Sequence, residues 1–174
     1  MEQLILVNER DEAIGTMEKM EAHRSALLHR AFSVFVFNNR GQLLLQQRAA
    51  EKYHCGGMWT NTCCSHPRPE EETIAAANRR LQEEMGFTTP IKKVFDFVYK
   101  APLSNGLTEY EFDHVFVGYY DGPIQPNPAE VAQFKYLDVD DIHELIAQQP
   151  QEFTPWFHIA FPKLVDWLSW QQVA

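Results

Sequence analysis

Apolar runs and polar breaks alternate along most of the chain, and their period predicts its elements. Leu4–Val7 is an apolar run of strand length. Glu18–Leu28 has helical character, and Ala31–Asn38 (AFSVFVFN) follows as a buried strand. Asn39-Arg40-Gly41 is a hairpin turn, from which Gln42–Gln47 returns as a second strand. Glu51–Pro69 shows little periodicity and concentrates Gly, Cys, His and Pro, which makes this loop the first place to look for chemistry. Glu70–Met85 is expected to be a helix with Ile74, Ala77, Leu81 and Met85 towards a core and Gly86 as its C-terminal cap. Strands follow at Ile91–Tyr99 and Glu109–Tyr120 around the turn Ser104-Asn105-Gly106, with a short strand at Phe134–Leu137. Asp138–Gln148 reads as a helix with Asp138 or Asp140 near its N-cap, and Pro155–Trp170 as an aromatic-rich closing helix. This order predicts an α/β (α+β) fold, a mixed or largely antiparallel sheet flanked by helices.

Composition narrows the picture. With 174 residues, 45% of them hydrophobic, and no linker or repeat, residues 1–174 are expected to form a single domain. A formal net charge of −9 disfavours nucleic acid as a partner, which requires a broad cationic surface. A phosphate ester remains within reach if metal ions and local Lys or Arg residues offset the repulsion. The N-terminus shows no signal peptide, and no stretch approaches the roughly 20 apolar residues of a membrane helix. Cys55, Cys63 and Cys64 do not form a disulfide framework; reduced thiols in a cytoplasmic protein are the simpler expectation, with monomer as the default state.

Several residues can carry chemistry. His23, His29, His66, Glu109 and Glu111 are candidate metal ligands, although nothing in the histidine spacing compels them to converge. Glu109 and Glu111, two apart in a strand, share a face, and burying both there calls for a cation or a proton. Cys64, in Cys64-Ser65-His66, is either a thiol activated by a nearby cation or an inert buried cysteine. A structural zinc site from Cys55, Cys63, Cys64 and His66 is a further alternative, though its spacing is unusual. Glu83 and Glu84 lie in the last turn of a helix, where the dipole disfavours them; they either hold Mg²⁺ on a diphosphate or pair with Arg79 and Arg80 on a solvated face. Lys19, Arg48, Lys52 and Arg80 can form a local anion site.

The helix region resembles the Nudix box, through Glu71, Arg79, Leu81, Glu83, Glu84, Gly86 and Phe87, with Ser65 in place of its first Gly and Arg80 in place of a Glu. Those two departures, the runs His29–Phe35, Leu43–Arg48 and Trp59–Pro67, and the pairs Glu109/Glu111 and Pro155/Trp156 resemble the type 1 isopentenyl-diphosphate isomerases. The resemblance spans nearly the whole chain and implies a Nudix-like domain that converts isopentenyl diphosphate to dimethylallyl diphosphate for isoprenoid biosynthesis. It implies Cys64 and Glu111 as proton carriers, assisted by Tyr99, with Trp156 facing the alkene. Lys19, Arg48, Lys52 and Arg80 are implied as diphosphate contacts. His23, His29, His66, Glu109 and Glu111 are implied as ligands of Mn²⁺, Zn²⁺ or Mg²⁺, and Glu84 as a ligand of a substrate-bridging Mg²⁺. His54, His114, His143 and His158 match no such role and are read as structural. A Nudix diphosphohydrolase and a non-catalytic zinc protein are the competing readings; Arg80, Cys64 and the Glu109/Glu111 strand argue against the first.

Overall fold

A computed structural model describes residues 2–103 and 105–173. The strands are β1 (Gln3–Val7), β2 (Ala13–Glu18), β3 (His29–Phe37), β4 (Leu43–Arg48), β5 (Trp59–Thr60), β6 (Cys63–Ser65), β7 (Ile91–Pro102), β8 (Thr108–Tyr119) and β9 (Val131–Leu137). The helices are α1 (Lys19–Arg24), α2 (Thr73–Met85), α3 (Val139–Gln148) and α4 (Pro155–Val173).

β3 organises the sheet. It runs parallel to β8 from His29↔Glu111 to Phe37↔Tyr119 and antiparallel to β6 at Phe32↔Ser65, Ser33↔Cys64 and Val34↔Cys63. β7 pairs antiparallel with β8, and β4 pairs antiparallel with β5 and β9. Alternation along the strands divides the core. Val34, Val36, Leu44 and Phe116 pack on α2 through Ala77, Leu81 and Met85. Their neighbours Phe35, Phe37, Leu43, Leu45, Val115 and Val117 pack on α3 and α4 through Ile142, Phe157, Phe161 and Leu164. A strand covered on both faces has to be apolar at successive positions, which is why β3 reads as an almost unbroken hydrophobic run.

Several expectations are corrected. The turn at Asn39–Gly41 forms, with Gly41 at φ 77° donating its N–H to the Asn38 carbonyl, but β3 and β4 pair only at Phe37↔Leu43 and then diverge, so no extended hairpin follows. The helix expected over Glu18–Leu28 is confined to Lys19–Arg24, ended by Ser25 and by Ala26 in the left-handed region at φ 49°. β2 was not anticipated; it is mostly exposed and lacks an apolar face. α2 starts at Thr73, and Ile74 is 45% exposed, so the buried stripe comprises Ala77, Leu81 and Met85. Gly86 does cap α2, at φ 77°. Of the expected turn at 104–106, Ser104 lies outside the described residues, while Gly106 sits at φ 76°. Among the described residues no helix is long and apolar enough to cross a membrane.

Candidate active site

Five proposed ligands from four elements converge. His23 comes from α1, His29 opens β3, His66 follows β6, and Glu109 and Glu111 lie on one face of β8; one ligand atom from each falls within 4.8 Å of all the others, and all five residues are buried. The β3–β8 register sets His29 directly opposite Glu111. His23 Nδ1 is 2.7 Å from the Lys19 carbonyl and His29 Nδ1 2.8 Å from that of Leu27. A carbonyl only accepts, so each Nδ1 carries a proton and each Nε2 is the nitrogen turned towards the cluster, where a bound cation would take its lone pair. His23 Nε2 and Glu109 Oε2 face one another at 3.1 Å, and His66 Nε2 lies 2.8 Å from Glu111 Oε1. His23 Nε2, His29 Nε2, His66 Nδ1 and Glu109 Oε2 are buried without a hydrogen-bond partner. Unpartnered buried atoms are costly, and a donor set of imidazoles and carboxylates suits a divalent cation. The cluster therefore fits a metal site.

Beside it lies a cavity lined by Cys64, Tyr99, Glu111 and Trp156 and by Lys19, Arg48, Lys52, Arg80 and Glu84. Cys64 on β6 and Glu111 on β8 reach it from strands that flank β3 on opposite sides. Tyr99 donates its hydroxyl to Glu111 Oε2 at 2.6 Å. Trp156, at the start of α4, is 4% exposed; its ring has the Arg48 guanidinium 5.2 Å from its centroid, and its Nε1 donates to Thr60 Oγ1 at 2.9 Å.

At the mouth of the cavity the cations are held by acids. Lys19 pairs with Glu2 at 3.0 Å, and Glu130 accepts from Lys52 and lies 3.2 Å from Arg80. Arg48 Nε and Arg80 Nε remain buried donors without a partner, which favours an anionic ligand. Glu84 accepts from Arg80 at 2.7 Å and from Gln46 at 2.8 Å, and it is buried rather than part of a solvated face.

Burial governs the proton affinities. It pushes the Cys64 thiol up to about 12, an effect that Arg48 only partly offsets. Of the two readings open for Cys64, this favours a thiol held protonated by burial over one activated by a nearby cation. Burial and then the Glu111 charge hold Tyr99 well above its ordinary value. Burial and the Glu109 charge push Glu111 up, but the His29 and His66 imidazoles outweigh them and leave it below the usual carboxylate value. Burial likewise raises Glu109, yet the adjacent His23 and His54 imidazoles hold it well below that range. Burial pushes His66 down to about 4 against the pull of Glu111, so its ring is neutral at pH 7, as a metal ligand must be.

Cys63 is not part of the site. It is fully buried in the core with Val34 and Leu81, which removes it from any zinc site shared with His66. His54, read as structural, lies beside the site: its Nε2 is 2.7 Å from Glu109 Oε1, and it lines the cavity. Its position in the aperiodic loop between Arg48 and Trp59 was the available signal. His114 sits apart from the cavity, with its Nε2 2.9 Å from Asp11 Oδ2.

The NUDIX domain family matches residues 27–157. The chain is 49% identical over 169 residues to an isopentenyl-diphosphate Delta-isomerase of Pectobacterium atrosepticum, a match that covers 97% of this chain and 93% of that protein. It is 54% identical over 157 residues to an isopentenyl-diphosphate Delta-isomerase of Burkholderia multivorans, covering 90% and 89% respectively. Among solved structures, a Deinococcus radiodurans protein superposes with a TM-score of 0.71 at 24% identity, covering 85% of this chain and 90% of that one. A MutT protein of Methanosarcina mazei does so with a TM-score of 0.65 at 17% identity, covering 80% and 93%. At these identities the two structures share the fold.

Proposed function

The chain belongs to the Nudix family and, within it, to the isopentenyl-diphosphate Delta-isomerases, so that it isomerises isopentenyl diphosphate to dimethylallyl diphosphate; from that premise we propose how its residues divide the work. Moving the double bond adds a proton at one carbon and removes one two carbons away, through a tertiary carbocation. An unactivated alkene is a very weak base, so a donor and an acceptor must stand on either side of a flat substrate.

Cys64 and Glu111 are that pair. The observation that carries this assignment is that both line one cavity from strands on opposite sides of β3, the thiol held protonated by burial and the carboxylate bonded to the Tyr99 hydroxyl. Tyr99 exchanges protons with Glu111 as the latter's charge changes. Trp156 offers the cation a π face, worth about 2 kcal/mol or more when desolvated, without forming a bond to it. Water would trap the cation as an alcohol, so the reaction requires that the bound substrate displace it from between Cys64 and Glu111.

Lys19, Arg48, Lys52 and Arg80 bind the diphosphate, and Glu2 and Glu130 give up their cations when it enters. The binding energy of that end holds the alkene between its proton carriers. His23, His29, His66, Glu109 and Glu111 would hold one Mn²⁺, Zn²⁺ or Mg²⁺, and Glu84, whose oxygens retain lone pairs, would be a ligand of a Mg²⁺ that accompanies the diphosphate. A divalent ion beside Glu111 supplies positive charge that tunes the proton affinity of that carboxylate. We assign the protein to the cytoplasm as a one-domain monomer, a reading supported by its three free thiols.

Cys64→Ala and Glu111→Gln are each expected to abolish turnover while inorganic diphosphate, followed by calorimetry, still binds. Normal turnover by either variant would overturn the assignment.

A further inference from the structure

We propose that His54 is a positioning residue of the metal centre: it donates its Nε2 proton to Glu109 Oε1 and thereby reserves Glu109 Oε2 for the cation. This rests on the metal reading of the five-residue cluster given above.

Glu109 is shared between two imidazoles. Its Oε1 lies 2.7 Å from His54 Nε2, while its Oε2 faces His23 Nε2 at 3.1 Å inside the cluster. The two rings turn opposite nitrogens to their other partners. His23 donates its Nδ1 proton to a backbone carbonyl and turns Nε2 towards the cluster. His54 Nδ1 instead has Arg48 Nη2 at 3.4 Å. A guanidinium has no acceptor, so His54 Nδ1 must accept and the proton must reside on Nε2. That nitrogen cannot ligate a metal, but it can donate to the carboxylate beside it. The 2.7 Å contact lies off the line of a hydrogen bond, leaving His54 Nε2 a buried atom without another partner, and the soft terminal torsion of His54 is the freedom through which the proposal aligns it.

The surroundings fix His54 for this task. It is 8% exposed, and its ring centroid lies 4.1 Å from that of Tyr53 and 5.7 Å from that of Trp156. Arg48 Nη2 also donates to the His54 carbonyl at 3.2 Å. The segment bearing Lys52 is thereby fastened, through Arg48 and His54, to a metal ligand on β8. An uncharged group that orients a ligating carboxylate typically changes metal affinity about 10–100-fold when removed.

The test uses the full chain freed of metal and titrated with Co²⁺, followed by visible absorption, for the wild type, His54→Leu and His54→Gln. The glutamine keeps an N–H donor near the position of Nε2; the leucine keeps only bulk. His54→Leu is expected to bind Co²⁺ about 10–100-fold more weakly, with His54→Gln near the wild type. Unchanged affinity in His54→Leu, or equal weakening in both variants, would overturn the donor role. A wild type that takes up no Co²⁺ would sink the metal reading of the cluster and this inference with it. Should His54→Leu fail to fold, ¹⁵N NMR of the imidazoles in the Zn²⁺-loaded wild type decides: His54 is expected as the Nε2–H tautomer, and a proton on Nδ1 would overturn the proposal.

Discussion

Replacing Thr60 by valine removes one oxygen and leaves the shape of the side chain nearly intact, yet the structure predicts a large effect. Thr60 is fully buried in β5, and its hydroxyl is saturated: it donates to Asn61 Oδ1 at 2.8 Å and accepts from Trp156 Nε1 at 2.9 Å and from Thr154 Oγ1 at 3.0 Å. The backbone ties the same joint, with Thr154 N–H donating to the Trp59 carbonyl at 3.0 Å. Without the oxygen, the Trp156 indole N–H is left buried with no acceptor, at a cost of about 1–3 kcal/mol, and loss of the other two bonds adds about 1 kcal/mol net because the Thr154 hydroxyl can rotate. Thr60→Val should therefore lose about 2–4 kcal/mol in urea denaturation followed by circular dichroism, or roughly 4–16 °C in Tm for a chain of this size. Thr60→Ser should recover most of the loss. A double-mutant cycle separates the indole contribution: Trp156→Phe carries no N–H, so it should cost at least about 1 kcal/mol less in the Thr60→Val background than in the wild type. Since Trp156 faces the cavity, kcat should fall in Thr60→Val as well. A Thr60→Val protein within about 0.5 kcal/mol of the wild type, or strict additivity with Trp156→Phe, would refute the reasoning.

Two other changes test the scaffold around α2. Glu71 accepts from Arg79 Nε at 2.7 Å, from Arg79 Nη2 at 2.8 Å and from the Arg68 N–H at 2.8 Å; the Arg79 bonds, acting against burial, hold its carboxyl below the ordinary 4.5. A lowered folded value means that the ionised group stabilises the fold above its unfolded value and that this stability is lost as pH falls through the folded one. Glu71→Gln should therefore melt below the wild type at pH 7, with the gap narrowing as the pH is lowered through about 4; a gap that stays constant would contradict the ion-pair account. A Cβ added at Gly86, which caps α2 at φ 77°, would lie 2.2 Å from the Gln125 carbonyl oxygen. Gly86→Ala should cost more than about 1 kcal/mol in the same urea assay, and a wild-type midpoint would contradict the close packing of that cap.

The parts of this structure that were legible in the sequence are those governed by local period. The β3 run, the two long strands β7 and β8 and the Gly86 cap all follow from spacing and residue type. Pairing partners were not legible, because periodicity carries no information on contacts distant in sequence. The turn after Phe37 suggested that β3 and β4 pair along their length, whereas β3 runs beside β8, some 80 residues on, with Ser33 Oγ donating to Asp113 Oδ2 at 2.8 Å across that join. Glu109 and Glu111 could be placed on one face from their spacing alone. Convergence of His23, His29 and His66 upon them could not, because it depends on how α1, β3 and β6 are placed against β8. The state of Cys64 stayed open between an activated and a buried thiol for a related reason: only the fold shows that burial outweighs the nearby Arg48. The Thr60-Asn61-Thr62 run ahead of Cys64 also acquires a physical reason. Asn61 donates to the Val34 and Cys63 carbonyls and Thr62 to that of Leu44, so the run pins the thiol-bearing strand to β3 and β4.

The most direct test of the account follows the proton itself. Metal-loaded protein incubated with isopentenyl diphosphate in heavy water should give dimethylallyl diphosphate carrying deuterium, seen by proton NMR, with the diphosphate intact by phosphorus NMR. Release of phosphate or a monophosphate, or product free of solvent deuterium from the outset, would contradict proton addition and removal by Cys64 and Glu111 as the chemistry of this site.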